Sequence, residues 1–554
     1  MSEEKGYKND TSEEFKPTSG SSSENTSTIS LSEYTTIKDY GSPGWDVSEK
    51  KAEYWRGVYE KAKYEGRHRY DPSYKWTAAE EKRLVRKIDL RIMLWAWIMF
   101  CSLDLNRRNI NRAITDNMLP ELGMTTNDFN YGQTIFLASF LAAELPSGLI
   151  SKKLGPDRWI PFIIVAWSVV SASQGGIHSR SAYFACRCLM GLFMGGFVPD
   201  IVLYLTYFYK SRELPIRLSW FWTGISTSNI LGSFLAAGIL QMRGIGGLSG
   251  WRYLFILEGC ATGIIGLLSW GFMPPGPCQT AGNIMRNNRR GWFSEHEEYI
   301  LVNRLLRDDP SKGDLHNRAA VGPSLFWKAL KDYDLWPVYL LGLTAYVPAQ
   351  PVASYLSFIL RQLGFSTFEA NLLAIPGQFL YAAQLVLITW VSERFDERSL
   401  IASISQWWIF PFLTALVALK GTASLWVRYT LLTGIIGYPY CHAILAGWNS
   451  RNSNSVRTRT ISAAIYNMMV QSGNIIGTNI YREDDKPLYI RGNKILLAIC
   501  CWNIVLFVLV KMYYVWRNKA REQKWETLSE REKEDYVATT EHEGAKRWDF
   551  RFAH

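Results

Sequence analysis

Apolar residues in this chain gather into runs of about 20, the length one helix needs to cross a bilayer. The runs lie near 90–113, 130–151, 159–177, 182–208, 218–241, 252–273, 336–359, 368–391, 400–418, 425–446, 460–481 and 494–516. A polar segment, Pro274 to Asp334, separates the first six from the last six. The pattern predicts an all-α membrane protein of twelve transmembrane helices in a 6+6 plan. Residues 84–273 make the first half and 335–516 the second, with a loop at 274–334 and polar tails at 1–82 and 517–554.

The loops set the orientation, because Lys and Arg accumulate on the cytoplasmic side. Lys82, Arg83, Arg86 and Lys87 precede span one, and Lys152, Lys153 and Arg158 join spans two and three. Lys210, Arg212 and Arg217 follow span four, Arg394 and Arg398 follow span eight, and Arg451, Arg457 and Arg459 follow span ten. All fall on one side, so both tails and the central loop are expected in the cytoplasm of a multi-pass plasma-membrane protein. The acidic loop TDNMLPELGMTTND and the mixed REDDKPLYIRGNK fall outside. The tail 1–82 is rich in Ser, Thr, Glu and Lys and is expected to be disordered, apart from short helices near Trp55 and Trp76. It lacks the apolar core of a signal peptide. In the central loop, Phe293 to Leu306 has helical apolar spacing, and Ser294 with Glu297 predicts a capping box. The run DDPSKGD after it reads as a solvated turn. GIGGLSG, Gly244 to Gly250, lacks the strand that a nucleotide cradle needs and reads as a short external loop.

Composition adds exclusions. Mean hydropathy is near zero only because polar tails dilute the apolar middle. The net charge of +11 is spread over tails and alternate loops instead of one stripe, which excludes nucleic acid as a partner. Most of the eight cysteines sit in apolar runs, without zinc-site company or a disulfide framework. No catalytic constellation, metal site or cofactor is expected. The chain reads as a monomer in the lipid bilayer, not as an enzyme.

Charge inside the spans is the candidate chemistry. Leu103 to Ala113 reads LDLNRRNINRA, which places Asp104, Arg107, Arg108 and Arg112 in span one, with Asn106, Asn109 and Asn111 between them. Ionisable residues at membrane depth are costly, and their default reading is functional. Arg107 and Arg108 lie about five residues from the outer end of span one, and Arg187 about five from that of span four; at about 1.5 Å per residue they share a depth. A guanidinium keeps its charge, and its fork matches a carboxylate or sulfonate. The competing reading is local neutralisation, since Asp104 can pair with Arg107 or with Arg108. Arg112 reads as an interfacial anchor. Asp200 lies about 20 Å beyond Arg187 along span four at that rise. It holds a coupling proton or pairs with a base on a neighbouring helix. Glu258 pairs helices or carries a proton. His442, the only histidine inside a predicted span, is a proton relay or a hydrogen-bonded spacer. Gly191 and Gly195 form a G-x-x-x-G pair suited to close helix packing.

The ordered motifs PSGLISKKLGPDRW, RCLMGLFMGGFVPD, GWRYLFILEG, GWFSEHEEYILVNRLLRDDPSKGD, ANLLAIPG and NIIGTNIYREDDKPLYIRGN together resemble the major facilitator superfamily. Within it they resemble the anion:cation symporters of the fungal allantoate permease branch, nearest to yeast permeases for sulfonates and inorganic sulfur anions. The likeness covers Leu84 to Tyr514. There are departures. Family members often read L-D-R-x-N-I-x-N-A in span one, where this chain has Asn106 for the aspartate and Asp104 two residues earlier. Met194 stands where Glu is frequent, Asp200 where Gly is common, and Lys152 where the superfamily usually has aspartate, so the proton-carrying acids do not transfer directly.

The resemblance implies inverted repeats around a central cavity lined by helices one, four and ten, so that two helices present guanidinium to one space. It implies proton-coupled uptake of a small anion, a sulfonate or inorganic sulfur anion first. The alternatives are a carboxylate such as allantoate, pantothenate, nicotinate or biotin, and a nutrient sensor of the same fold without transport. Candidate substrate-binding residues are Arg107, Arg108, Arg187, Asn109, Tyr346, Gln350, Tyr438, Asn467 and Gln471, with Asn474 a further polar group. Candidate proton-coupling residues are Asp104, Asp200, Glu258 and His442. An interior negative by 100 mV opposes each entering negative charge by about 2.3 kcal/mol, and cotransported protons reverse that penalty.

Overall fold

The computed structural model describes residues 53–554 except 54–55, 58, 61–63, 211–212, 282–290, 309–329, 420–422, 454–455, 540–546 and 549. The expected disorder of most of the leading tail and the DDPSKGD turn beyond Asp308 lie outside the described residues, whereas near Trp55 the described residues Glu53, Arg56, Gly57, Tyr59 and Glu60 are helical, as expected. Among those described, helices and turns account for the fold, with no strand. α1 (Ala78–Ile88) passes through a π turn, Asp89–Met93, into α2 (Leu94–Ala113). A first group continues with α3 (Thr126–Leu154), α4 (Pro156–Ser173), α5 (Arg180–Met194), α6 (Phe197–Leu205), α7 (Leu214–Trp222), α8 (Gly224–Ile239) and α9 (Gly250–Phe272). α10 (Glu295–Asp308) connects to a second group: α11 (Trp336–Thr344), α12 (Gln350–Gln362), α13 (Thr367–Leu372), α14 (Ile375–Phe395), α15 (Ser399–Ala418), α16 (Leu425–Ile436), α17 (His442–Ser453), α18 (Val456–Thr478) and α19 (Ile490–Glu526). α20 (Glu530–Thr539) follows.

Eight helical stretches are long and apolar enough to cross a membrane, and they cover predicted spans two to six, eight, nine and twelve. The remaining predicted spans are helical with a difference. Span one carries the charges of LDLNRRNINRA. Spans seven and ten each lose their helix part-way, at 345–349 and 437–441. Span eleven is diluted by Asn467, Gln471 and Asn474. The expected continuous helix over 425–446 is therefore two helices, and His442 opens the second one.

Close packing rests on small residues. A Cβ on Gly195 would stand 2.2 Å from the Phe140 carbonyl oxygen, and one on Gly191 would stand 2.4 Å from that of Phe136. The G-x-x-x-G pair thus lets α5 lie against the backbone of α3, as its spacing predicts. Gly473 does the same for α18, where a Cβ would meet the Leu343 carbonyl at 2.0 Å.

Helix ends on the side of α1, α10 and α20, the tail side, are strapped together. α10 starts with the predicted capping box: Glu297 N donates to Ser294 Oγ at 3.2 Å and Ser294 N to Glu297 Oε2 at 2.9 Å. Its Arg304 is buried and donates to the Phe208 carbonyl at 2.7 Å and to Glu213 at 3.1 Å. The tail from 517 differs from the expected polar appendage. α19 runs on to Glu526, and Phe552 is buried under the Arg521 guanidinium at 4.3 Å. Trp448 Nε1 donates to the Ala553 carbonyl at 2.7 Å, which pins the tail to α17. The physical reason is the pair Phe550 and Phe552, which cover apolar helix ends.

Hydrogen bonds between the two groups run from Glu144–Asn467 inside the bundle out to the far side. There Asn130 Nδ2 donates to the Tyr481 carbonyl at 2.6 Å, Asn479 Nδ2 to Thr134 Oγ1 at 2.8 Å, and Thr126 N to Glu483 Oε2 at 2.6 Å. The far end of α3 therefore meets the chain that follows α18, and Tyr355 of α12 joins them by donating to Asn130 Oδ1.

Packing at Gly195 generates a stability prediction. Gly195→Ala forces a Cβ into backbone and should destabilise by about 1–3 kcal/mol through overpacking. Gly238, with nothing within 4 Å of a Cβ, is the control. Thermal unfolding in detergent should show a lowered midpoint for Gly195→Ala only; equal midpoints would refute the close crossing.

Candidate substrate site

The charges of α2 divide their work. Arg108 Nε donates to both Asp104 oxygens, at 2.9 and 3.0 Å, and Ser228 Oγ donates to Asp104 Oδ2 at 2.6 Å. Asp104 is buried and fully engaged as the Arg108 counter-ion. Arg107 points elsewhere, over the rings of Phe136 and Phe140 at 5.5 and 5.4 Å. Among the described residues it has no acid, amide or carbonyl partner. Of the two pairings open to Asp104, the structure forms the one with Arg108.

Arg187 of α5 comes to the same place. Its guanidinium lies 4.4 Å from the Phe136 ring, so Arg107 and Arg187 both lie against one aromatic ring. Arg187 is fully buried and donates Nη2 to Gln133 Oε1 at 2.6 Å. Its Nε and Nη1 have no partner among the described residues. Gln133 in turn donates to Asn111 Oδ1 at 3.0 Å, which ties α5, α3 and α2 at one level. The depth argument thus brings together Arg107 and Arg187.

Across from them stand the two helix breaks of the second group. Unwinding at 345–349 and 437–441 frees carbonyls that have no water to bind in a membrane. Side chains take them. Gln406 Nε2 donates to Ala345 O at 2.8 Å and Asn503 Nδ2 to Thr344 O at 2.9 Å. Gln384 Nε2 donates to Gly437 O at 2.7 Å and Trp408 Nε1 to Gly434 O at 2.8 Å. The breaks carry Tyr346 and Tyr440, whose ring centroids are 5.3 Å apart. Tyr346 and Tyr466 share a hydroxyl hydrogen bond of 2.7 Å. Tyr438 and Tyr440 both pack on Tyr381, at 5.8 and 5.3 Å. His442 stacks on Tyr440 at 5.7 Å and also touches Tyr346 and Tyr466. Tyr440 lies within electrostatic reach of both Arg107 and Arg108.

The other predicted residues are scattered. Asp200 is buried and accepts from Ser147 Oγ at 2.8 Å, and Trp159 Nε1 donates to the same hydroxyl at 2.8 Å. Among the described residues no base pairs with it. Glu258 faces Arg112 and Asn109 inside the first group. Both Glu258 oxygens, both Asn109 polar atoms and Arg112 Nη1 are buried without a hydrogen bond among the described residues. Arg112 is therefore not an interfacial anchor. It is buried against Gly232 and donates to the Asn229 carbonyl at 3.0 Å. Gln350 donates to Ser354 and Thr478, each at 3.3 Å, and Asn474 donates to Gln471 at 3.0 Å. Asn467 donates across the groups to both oxygens of Glu144, at 3.2 and 3.1 Å. Away from the spans, Cys278 does have metal-type company, against expectation: His68 and Glu298 lie beside it, with ligand atoms within 4.8 Å. Glu298 is already held by Arg69 at 3.1 Å, and His68 is exposed.

Sequence reasoning missed Glu144, Tyr381, Tyr440 and Tyr466. Pro348 and Pro351 in span seven, and Gly437 and Pro439 in span ten, were the available signals: interrupted hydrophobic segments point to a site.

The sequence of residues 96–478 matches the Major Facilitator Superfamily. The chain is 51% identical over 504 residues to the uncharacterized transporter YIL166C of Saccharomyces cerevisiae, covering 91% of this chain and 93% of that one. It is 27% identical over 320 residues to a protein of Agrobacterium vitis named "Putative tartrate transporter", covering 58% and 70% of the two chains. In structure it is similar to a bacterial homolog of the human lysosomal transporter Spinster in an inward-facing and occupied conformation. That match has a TM-score of 0.56 at 14% identity and covers 77% of this chain and 96% of that one. The fold, the apolar helices and the matched length agree: the chain is a multi-pass membrane transporter and belongs to the Major Facilitator Superfamily.

Proposed function

We propose that the chain crosses the plasma membrane twelve times with both tails in the cytoplasm, and imports a small anion together with protons. The observation that carries this reading is Arg107, a guanidinium inside the bundle held by rings alone. Arg107 is half-buried, and a cation–π contact is worth only about 0.5–2 kcal/mol, so its donor groups stay open to a stronger partner. Arg187 beside it has two open donor groups. An oxyanion spanning the two would satisfy both. A carboxylate or a sulfonate head offers the paired oxygens that a guanidinium fork takes. Tartrate, in the name of the Agrobacterium vitis relative, is a dicarboxylate, in keeping with two open guanidiniums. The basic loops on the tail side favour the cytoplasm for that side.

Coupling needs an acid whose protonation is felt by both helical groups. Asp104 is committed to Arg108, and Asp200 and Glu258 make their contacts within the first group. Glu144 is different, because its carboxylate is bonded to Asn467 of the second group. A proton on Glu144 removes the negative acceptor from that bond and loosens the groups. Glu144 is the coupling acid in this reading.

Two measurements test it in a permease-deficient yeast, with a carboxylate or sulfonate first found by growth on sole nutrient sources. Arg107→Lys and Arg187→Lys keep charge but lose the fork, and each should raise the half-saturation concentration about tenfold or more, from the rough 1.5–3 kcal/mol of a charged hydrogen bond. Arg108→Lys keeps its i,i+4 pair with Asp104 and should shift it by about twofold at most. Unchanged uptake in both the Arg107 and Arg187 variants would place the anion elsewhere.

For coupling, Glu144→Gln should stop accumulation against a gradient while substrate exchange continues. Asp200→Asn should still accumulate. Normal uphill uptake by Glu144→Gln would remove Glu144 from the proton path.

A further inference from the structure

The second group offers the substrate something other than charge. Tyr346, Tyr381, Tyr438, Tyr440, His442 and Tyr466 form one connected set of rings around the two helix breaks, with neighbouring centroids 5.3 to 5.9 Å apart. Such spacings are those of tilted and edge-on aromatic pairs. Tyr346 and Tyr466 satisfy each other's hydroxyls. The hydroxyls of Tyr381, Tyr438 and Tyr440 donate to nothing among the described residues, and all three lie within electrostatic reach of Arg108. Trp222 of α7 adds a further ring, 6.4 Å from His442. The breaks themselves are not loose, because side-chain amides and an indole already hold their freed carbonyls. A wall of rings, gathered around unwound backbone and within electrostatic reach of Arg107 and Arg108, exceeds what a bare oxyanion requires. Sulfate or another inorganic oxyanion gains nothing from ring faces and would have to be stripped of water beside them.

Resting on the anion reading above, we propose that the transported anion bears its carboxylate or sulfonate on a planar, unsaturated ring. The head sits between Arg107 and Arg187, and the ring lies against the part-buried Tyr440 and Tyr381. The hydroxyls of those tyrosines then serve polar atoms on the ring or the outer oxygens of the head.

Purified full-length protein tests this by equilibrium binding, read from tryptophan fluorescence and confirmed by thermal shift. The probes are benzoate, benzenesulfonate, cyclohexanecarboxylate, methanesulfonate and sulfate. The first two should bind about tenfold or more tighter than cyclohexanecarboxylate and methanesulfonate, because ring faces stack on planar partners. Sulfate should bind least. Tyr440→Phe keeps the ring and should keep the preference for benzoate over cyclohexanecarboxylate. Tyr440→Leu should abolish that preference while benzoate binding still depends on Arg107. Equal affinity of the planar and saturated probes, with Arg107→Lys weakening all of them, would overturn the ring proposal and leave the anion reading standing. If Arg107→Lys and Arg187→Lys leave every affinity unchanged, both fall together.

Discussion

A guanidinium cannot shed its charge on entering a membrane, and the geometry of the substrate site follows from how each one is answered. Arg108 has an acid four residues away on its own helix, so it is neutral as a pair and available as structure. Arg187 has an amide and a ring, which leaves it half-answered. Arg107 has only rings. Their differing partners convert three equal charges into one anchor and two open sites. Arg107 and Arg187 repel, yet both lie against the Phe136 ring. In the proposed reading, a shared anion would relieve the repulsion and supply the missing hydrogen bonds at once.

The second constraint is the backbone. Helix is the default in lipid because it satisfies every carbonyl and amide. Breaking it at 345–349 and 437–441 is tolerable because Gln406, Asn503, Gln384 and Trp408 take up the carbonyls. Gln406 and Gln384 hold the backbone directly beside Tyr346 and Tyr438. They are the reason tyrosines can project from positions that a continuous helix would turn toward its neighbours.

Much of the fold was legible from apolar run length alone. The helix ends mostly fall within a few residues of the runs, since leaving the bilayer and leaving the apolar run are one event. The charges of LDLNRRNINRA were equally visible, but which arginine Asp104 holds was not. Spacings of three and four both reach, and Ser228, which holds the carboxylate from α8, is distant in sequence. Glu144 was overlooked because a single acid in LAAELPSG hardly disturbs an apolar run; its meaning comes from Asn467, more than 300 positions away. The tyrosine set was half-read for a similar reason. Tyr346 and Tyr438 look like ordinary polar groups until the two breaks bring them together with Tyr381, Tyr440 and Tyr466. Docking of Phe552 had no local signature, since its groove is built from α17 and α19.

The two faces of the site also differ in how readily they can change shape. In the first group, Asn106 donates to the Ser102 carbonyl at 2.9 Å and to Thr262, and accepts from Ser171, so α2, α4 and α9 are tied at the level of the arginines. Moving Arg107 therefore means moving the whole group. In the second group Tyr346, Tyr438 and Tyr440 stand on unwound segments, where a rotation has only the few side-chain bonds from Gln406, Asn503 and Gln384 to remake in place of a helical ladder. In the proposed reading, a rigid charged face and a more adjustable aromatic face would divide recognition between them, the first meeting head-group charge and the second the shape of the body. Rocking one group against the other would change the distance between these faces, with Glu144 and Asn467 at the innermost contact that such a motion must strain.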